Sequence, residues 1–591
     1  MCGINGILRL TDAAPAIDRD ELLRTRDAMA ARGPDGAGVW ISGDGRVALA
    51  SRRLAILDLS EAGAQPMPSA DGRFQLVLNG EIYNFPELRR ELEGEGVRFR
   101  SRSDTEVVLA LYARQGAAML GRLRGMYALA LWDDREKSLL LARDPLGIKP
   151  LYLCEEGGCL RFASQVKALA AGGAVSREVD PAGVAGFLLW GSVPEPLTIR
   201  RAVRALPAGH HLLARDGSAG EPRLHAPAAV SPLAMTPEAA VEDSVVAHLV
   251  SDVPVAVFLS AGLDSGLIAA LARRHLPEPP ATFTLSFDVL AGTPRDEAPL
   301  AAAVARALGT RHVERRVGRA DFPALWRDAV AAMDQPSIDG FNTFMVSRAA
   351  HEAGLKVVLS GLGGDEIFGS YPSFAGVPRL ARAARRAAWV PGLAAAWPAL
   401  ARAAAPARPK LAGLLRYGRT LPGAYYLRRG LFLPEELPGL MGRDAAAAGL
   451  AHYDPVADAA RDLAAANGHA GDAWTAVHEL ETARYLRNQL LRDSDWASMA
   501  SSVELRVPFV DAWLRRRLAA HGFEPARGRG KAELVRRAAP ELPAAVFTRP
   551  KTGFYVPVME WMDPGGAGTS LGHQSRRLAL QVLQDLGVEA W

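Results

Sequence analysis

Cysteine is scarce in this chain: Cys2, Cys154 and Cys159 are the only three among 591 residues. The number is odd and no two are spaced Cys-x-x-Cys, which excludes a disulfide framework and a cysteine-pair zinc site and makes a reducing, cytoplasmic compartment the expectation. Aromatic residues are few, at 7%. No stretch of about 18–20 residues is apolar and free of charge and proline, so no membrane span is expected. The nearest, Ala387 to Leu400, is short and holds Pro391 and Pro398. The first residues, from Cys2 to Leu10, lack the basic segment that precedes the apolar core of a secretory signal. An excess of one charge is also missing. Lys and Arg number 69 and Asp and Glu 65, and the net +4 is too small for this length to imply a nucleic-acid partner.

What remains is the composition of a globular chain that can bury large cores, with 49% hydrophobic and 23% charged residues. The length suits about four domain equivalents or two large domains. Residues 1–190 read as short strands with turn signals and a few helices. The segments 72–84 and 125–144 look like β structure, with apolar runs ending in Asn79-Gly80 or Asp133-Asp134. Ser103-Asp104-Thr105 opens an apolar helix. Beyond residue 237, strands alternate with helices, the pattern of a parallel α/β sheet. A Gly/Pro/Ser-rich stretch, Ala214 to Met235, falls between the two styles. The expected division is 2–190, a connecting segment 191–236, and 237–591. Residues 371–420 hold nine Arg or Lys and no Asp or Glu. Two readings stand for them: a basic surface for a partner or anionic lipid, and solvated Ala/Arg-rich helices.

Cys2 follows the initiator methionine. With Met1 removed it carries a thiol and a free α-amine, whose pKa near 8 lets it act as the base, so one residue supplies nucleophile and base. Further along come Arg32-Gly33-Pro34-Asp35-Gly36, Arg53-Leu54-Ala55-Ile56-Leu57-Asp58, Asn79-Gly80-Glu81-Ile82-Tyr83-Asn84 and Ser103-Asp104-Thr105-Glu106. In this order the set resembles the class II, N-terminal-nucleophile glutamine amidotransferase domain, which implies an αββα sandwich and release of ammonia from glutamine. By that resemblance Cys2 attacks the substrate, and the Asn79 amide and the Gly80 N–H stabilise the oxyanion. Arg53 pairs with the glutamine carboxylate, Glu81 and Asp104 hold its ammonium, and Leu54, Ala55, Ile56 and Leu57 line the pocket. The alternatives are a surface salt bridge for Arg53 and Asp104 and a hairpin turn for Asn79-Gly80. The chain departs from the family at Ala31 and Ser51, where histidine is common, and at Gln165, where glutamate is usual; domain coupling or ammonia transfer is the function that Gln165 would alter.

In the second half, Leu259-Ser260-Ala261-Gly262-Leu263-Asp264-Ser265-Gly266 follows an apolar strand and precedes a helix, an arrangement whose hydroxyls and N–H groups cradle an anion. It resembles the pyrophosphate loop of ATP pyrophosphatases, with Ala261 in place of one Gly, and a Walker A lysine is absent. Ser360-Gly361-Leu362-Gly363-Gly364-Asp365-Glu366 also follows a strand. Two such loops at one end of parallel strands share a crevice. Asp264 and Asp365 are the candidate Mg²⁺ ligands, and the candidate ATP contacts are Leu259, Ser260, Gly262, Asp264, Ser265, Leu285, Ser360 and Gly361. For Asp365 and Glu366 the alternative is charge complementing a helix dipole.

With Asp495-Trp496-Ala497-Ser498-Met499, the run from Glu504 to Asp511, Gly530-Lys531 and Arg549-Pro550-Lys551-Thr552-Gly553-Phe554, the resemblance extends over nearly the whole chain to the glutamine-hydrolysing asparagine synthetases. It implies an N-terminal-nucleophile sandwich followed by a parallel-sheet, HUP-like ATP-pyrophosphatase domain with added helices. ATP, with Mg²⁺, adenylates a carboxylate; ammonia then displaces AMP. Lys531 matches a lysine that offsets charge on the reacting phosphate. Glu504, Arg506 and Asp511 read as structural ion pairs. The substrates implied are glutamine, ATP and a carboxylate acceptor, aspartate by default; a homodimer is the family expectation. Leu362 stands where asparagine-forming members carry an acidic residue, which leaves a second acceptor, on a glycan or a secondary metabolite, open. A β-lactam-synthetase-like cyclase and a non-catalytic relative are the remaining readings.

Overall fold

The structure, a computed structural model, describes residues 2–215, 217–225, 235–405, 408–465, 472–520, 530–549, 556–562 and 571–588. In the N-terminal half the strands are β1 (Cys2–Arg9), β2 (Gly36–Ile41), β3 (Val47–Arg53), β4 (Met67–Pro68), β5 (Phe74–Ile82), β6 (Gly125–Asp133), β7 (Ser138–Arg143), β8 (Tyr152–Glu156), β9 (Cys159–Ala163), β10 (Val203–Ala205), β11 (His210–Ala214) and β12 (Arg223–Leu224). They form two six-stranded antiparallel sheets, ordered β10-β8-β9-β1-β3-β2 and β12-β11-β7-β6-β5-β4.

Alternation along the strands creates the layers. On β6, Ala128, Ala130 and Trp132 point into the space between the sheets, where they meet Ile4, Leu49 and Phe162. Leu129 and Leu131 point the other way, onto helices Phe85–Gly94 and Asp104–Gln115 through Leu92, Val107 and Leu111. Helices Arg19–Asp27 and Val166–Gly172 cover the first sheet. The result is the αββα sandwich.

Two readings of local sequence change here. Asn79-Gly80 is not a turn: β5 runs through it to Ile82 and stays paired with β6 as far as Gly125. Gly80 sits at φ +148°, and a Cβ there would lie 1.9 Å from the Met126 carbonyl oxygen, so only glycine lets the two strands close. The segment 191–236 contributes β10, β11 and β12 to the edges of both sheets; residues 216 and 226–234 lie outside the described residues.

The C-terminal half is built on β13 (Val255–Phe258), β14 (Ala281–Phe287), β15 (Arg311–Val317), β16 (Val357–Leu359) and β17 (Glu504–Arg506). All pairings are parallel, in the order β15-β14-β13-β16-β17. One face packs Val257 and Leu359 against helix Leu263–His275; the other packs Ala256 and Val358 against Ala350 and Leu505. β13 and β16 are neighbours, so the loops at their carboxyl ends open on one crevice. Residues 373–465 add helices. Among the described residues no helix is long and apolar enough to cross a membrane, and Ala387 to Leu400 is divided between helices Ser373–Ala387 and Leu393–Ala404.

The halves are welded by a shared apolar cluster. Leu54, Ile56, Tyr83, Met126 and Ile148 pack in one body with Leu486, Leu491, Met499 and Val507.

Candidate active site

Cys2 is the first residue of the central strand β1 and is buried. Its backbone nitrogen donates to Asn79 Oδ1 at 3.1 Å. That bond turns the Asn79 amide so that Nδ2 is a buried donor with no hydrogen-bond partner among the described residues. An unsatisfied buried N–H is costly and awaits an acceptor. Burial pushes the Cys2 thiol pKa up, while the Leu54 N–H and the Arg53 charge act in the opposite direction. Arg53 itself is fixed: its guanidinium donates to the carbonyls of Ser60 (3.1 Å), Leu57 (3.2 Å) and Asp58. Leu54, Ala55, Ile56 and Leu57 are buried beneath it, and the Ala55 N–H donates to Asp35 at 2.8 Å. Asp104, at the start of its helix, accepts from the Ile82 N–H at 3.0 Å. Burial raises the pKa of Asp104, and burial together with the charges of Glu504 and Asp104 raises that of Glu81 well above its usual value. Cys2, Asn79, Gly80, Glu81, Arg53 and Asp104 thus come from β1, β5, the end of β3 and one helix start.

The pocket is not the work of one half alone. Arg32 donates through Nε to the Cys2 carbonyl (3.2 Å) and through both Nη atoms to Asp495 (2.6 and 3.1 Å), all buried. Lys149 Nζ lies 3.6 Å from the same carboxylate. Arg506 donates to Glu504 at 2.6 Å and reaches Glu81 at 3.7 Å; Arg124 donates to Asp511 at 2.8 and 2.6 Å. The ion-pair reading of Glu504, Arg506 and Asp511 fits, and two of the three pair across the halves. At Gln165 the helix that follows takes its cap from the other half, since the Val166 and Lys167 N–H groups donate to Asp334 at 3.0 and 2.9 Å. Arg32→Ala leaves Asp495 buried with only Lys149 nearby and is expected to cost about 3–5 kcal/mol, with the double variant Arg32→Ala/Asp495→Leu recovering part of it. Denaturation midpoints of the three proteins check this.

The second centre lies at the ends of β13 and β16. Ser260 Oγ and Ser265 Oγ are 2.9 Å apart, and Gly262 N–H donates to Ser260 Oγ at 3.1 Å. Asp264 packs against the second loop so closely that a Cβ on Gly364 would lie 2.4 Å from its Oδ1. Lys531 donates to Asp264 at 2.6 Å and to Asp365 at 2.9 Å. Burial opposes its charge, but the two carboxylates raise its pKa. Ser360 and Gly361 flank the same crevice, with the Leu362 N–H donating to Ser360 Oγ at 3.3 Å. Leu259 is buried, and Leu285 is buried on β14, beyond the point where β13 ends. Leu362 packs against the apolar cluster around Leu359. Of the run from Arg549 to Phe554, only Arg549 is among the described residues, and it lies 3.9 Å from Glu297.

Glu366 went unremarked in the sequence beyond a possible dipole role. It is buried, accepts from the Tyr371 hydroxyl at 3.0 Å, and its Oε2 has no hydrogen-bond partner among the described residues. Burial, with the Asp365 charge beside it, pushes its pKa up to about 8. An unfolded glutamate titrates near 4.3, so the folded chain keeps a proton that the unfolded chain releases between about pH 4.3 and 8. This contribution to stability is full below that window and is lost as pH rises through it. Glu366→Gln is therefore expected to flatten the fall in melting temperature between about pH 5.5 and 8; parallel curves for both proteins would show that Glu366 does not carry the proton. Only burial, which a lone Asp-Glu pair in a sequence does not reveal, marks this residue.

Comparison with known proteins covers both halves of the chain. Residues 1–223 match the family model described as a glutamine amidotransferase domain, and residues 237–583 the one described as asparagine synthase. A Mycobacterium tuberculosis protein with the provisional name glutamine-hydrolyzing asparagine synthetase is 35% identical over 94% of this chain and 86% of its own. Asparagine synthetase [glutamine-hydrolyzing] 1 of Bacillus subtilis is 30% identical over 95% of this chain and 88% of its own. The amidase chry2 of Gibberella zeae is 31% identical over 63% of this chain and 60% of its own. The two matched families fall on the two halves that the structure joins through buried ion pairs, and on these matches the chain belongs to the asparagine synthase family and is a glutamine-dependent amidotransferase of the asparagine synthetase type.

Proposed function

We propose that the chain activates a carboxylate with ATP, as an acyl-adenylate with loss of pyrophosphate, and displaces AMP from it with ammonia freed from glutamine at Cys2. Aspartate is the default acceptor and asparagine the product. The observation that carries this reading is Lys531 bridging Asp264 and Asp365 at the mouth of two adjacent loops, in the same molecule as a buried Cys2 beside an unsatisfied Asn79 Nδ2.

With Met1 removed, the Cys2 amine accepts the thiol proton as sulfur attacks the glutamine carboxamide. The oxyanion takes hydrogen bonds from Asn79 Nδ2 and the Gly80 N–H. The amine returns the proton to the leaving ammonia, and water then hydrolyses the thioester to glutamate. Arg53 binds the substrate carboxylate, Glu81 and Asp104 its ammonium. In the other half, Ser260, Gly262, Ser265, Ser360 and Gly361 face the phosphates, and Leu259 and Leu285 the base. Asp264 and Asp365 are hard oxygen donors of the kind Mg²⁺ takes and would hold that ion beside Lys531, which bridges the same two carboxylates. The ion would offset phosphate charge, as Lys531 does. The apolar cluster from Leu54 and Ile56 to Met499 and Val507 supplies dry surroundings in which ammonia crosses unprotonated.

A second reading keeps the chemistry and changes the acceptor. It is favoured by Leu362, an apolar side chain packed at the second loop where the family resemblance leads one to expect an acid; the likeness to a protein named amidase is in keeping with it. The intact glutaminase centre gives a cyclase, which uses no ammonia, nothing to do. The test is pyrophosphate release with glutamine, ATP, Mg²⁺ and a panel of carboxylates. Aspartate-dependent pyrophosphate with asparagine formed supports the first reading, glutaminase without asparagine the second. Silence with every carboxylate would sink the adenylation step.

A further inference from the structure

Between Glu366 and Glu435 the chain contains eleven Arg and Lys and no acidic residue. Five of the eleven lie on two successive helices and a sixth, Arg408, follows them. Helix Ser373–Ala387 and helix Leu393–Ala404 are joined by Ala388 to Gly392. Arg379, Arg382, Arg385, Arg386, Arg402 and Arg408 are all exposed, and none forms an ion pair among the described residues. By contrast Arg416, further along, pairs with Glu435.

The apex is apolar. Trp389 is 87% exposed and Val390 52%. The second helix buries only Ala401; it is fastened on its inner side by Trp397, whose indole donates to the Leu411 carbonyl at 2.7 Å. Its outer side shows water Ala395, Ala396, Ala399, Ala403 and Leu400, the last 52% exposed. An almost fully exposed indole next to an exposed valine, just past the end of a helix whose Arg379, Arg382, Arg385 and Arg386 form no ion pair among the described residues, marks an interaction surface.

We propose that these two helices and the link between them dock the protein on an anionic lipid surface. The charge is of one sign and unneutralised, which calls for a multiply anionic partner, and guanidinium groups pair bidentately with phosphate. The Trp-Val apex and the Ala/Leu face call for something apolar directly beneath that anionic layer. A bilayer interface offers both at once: indole rings sit at headgroup depth, and apolar helix faces enter the acyl boundary. A nucleic acid would match the charge and leave the Trp-Val apex without an apolar layer to enter. The first helix starts seven residues after Glu366 and runs about 22 Å before it reaches the apex. Docking at the apex leaves the crevice open.

The experiment is co-sedimentation of the full chain with vesicles of phosphatidylcholine alone or with about one third phosphatidylglycerol. Binding is expected only with phosphatidylglycerol and is expected to fall steeply with added salt. Each arginine near the surface is worth about fivefold, so Arg382→Ala/Arg385→Ala/Arg386→Ala should lower the partition coefficient about 100-fold. Trp389→Ser should lower it about tenfold. Both variants should retain wild-type glutaminase activity, which shows that they are folded. Equal sedimentation with neutral vesicles, or variants that bind like the wild type, overturns the proposal. So does a dimer in sedimentation velocity that the same substitutions dissociate, because the face would then be covered by a second copy.

Discussion

Cys2→Ala is expected to abolish product formation from glutamine, by at least about 10⁴-fold, and to leave product formation from ammonium salts within about twofold of the wild type. The asymmetry follows from geometry. Cys2 lies on β1 of the sandwich, whereas Ser260, Asp264, Asp365 and Lys531 belong to the parallel sheet and its helices. Removing one sulfur changes no group of the second centre. Asn79→Ala should give a milder version, about 10²–10³-fold, because it deletes one oxyanion donor and keeps the nucleophile. Its Oδ1 also holds the Cys2 nitrogen, so some of that loss reflects a misplaced base. Product assays with glutamine and with ammonium, run side by side, check both. Equal loss of the two activities in Cys2→Ala would refute the division of labour.

Lys531→Met is expected to do the reverse: both glutamine- and ammonium-driven synthesis should fall by about 10³-fold or more, with glutaminase retained. Nζ is the cation between two carboxylates, 2.6 Å from Asp264 and 2.9 Å from Asp365. Without it, like charges face each other across the crevice, and the developing charge on the phosphate loses its counterpart. The Phe368 ring, its centroid 5.8 Å from Nζ, adds an aromatic face to the cation's surroundings. Lys531→Arg should recover only part of the rate, since a planar fork cannot occupy the place of a compact ammonium. Pyrophosphate release with a competent acceptor reads this directly. A Lys531→Met protein with normal pyrophosphate release would remove the residue from the reaction.

Much of this was legible because the residues concerned are local. The Ser260 to Ser265 loop is recognisable since a strand, a glycine turn and a helix start are consecutive in sequence, and the hydrogen bonds within it join residues no more than five apart. The apolar run that begins segment 125–144 reads as β structure, and β6 is that strand; its burial on both faces comes from the fold. Asn79-Gly80 misleads as a turn because Asn-Gly is the commonest hairpin signal. Nothing local says that Gly80 must instead clear the Met126 carbonyl on the neighbouring strand. Arg32 and Asp495 stand 463 positions apart, and no periodicity in either segment links them.

By itself the chain of residues determines which chemistry is present: an amino-terminal thiol, an amide beside a glycine, two Ser/Gly loops and a lysine near the end. Tertiary structure decides which of these groups meet, which are buried and so shifted in pKa, as Glu81 and Glu366 are, and which charges of one half complete the other. The reason is that backbone geometry is written over a few neighbouring residues, whereas desolvation and ion pairing depend on whatever the fold brings within a few ångströms.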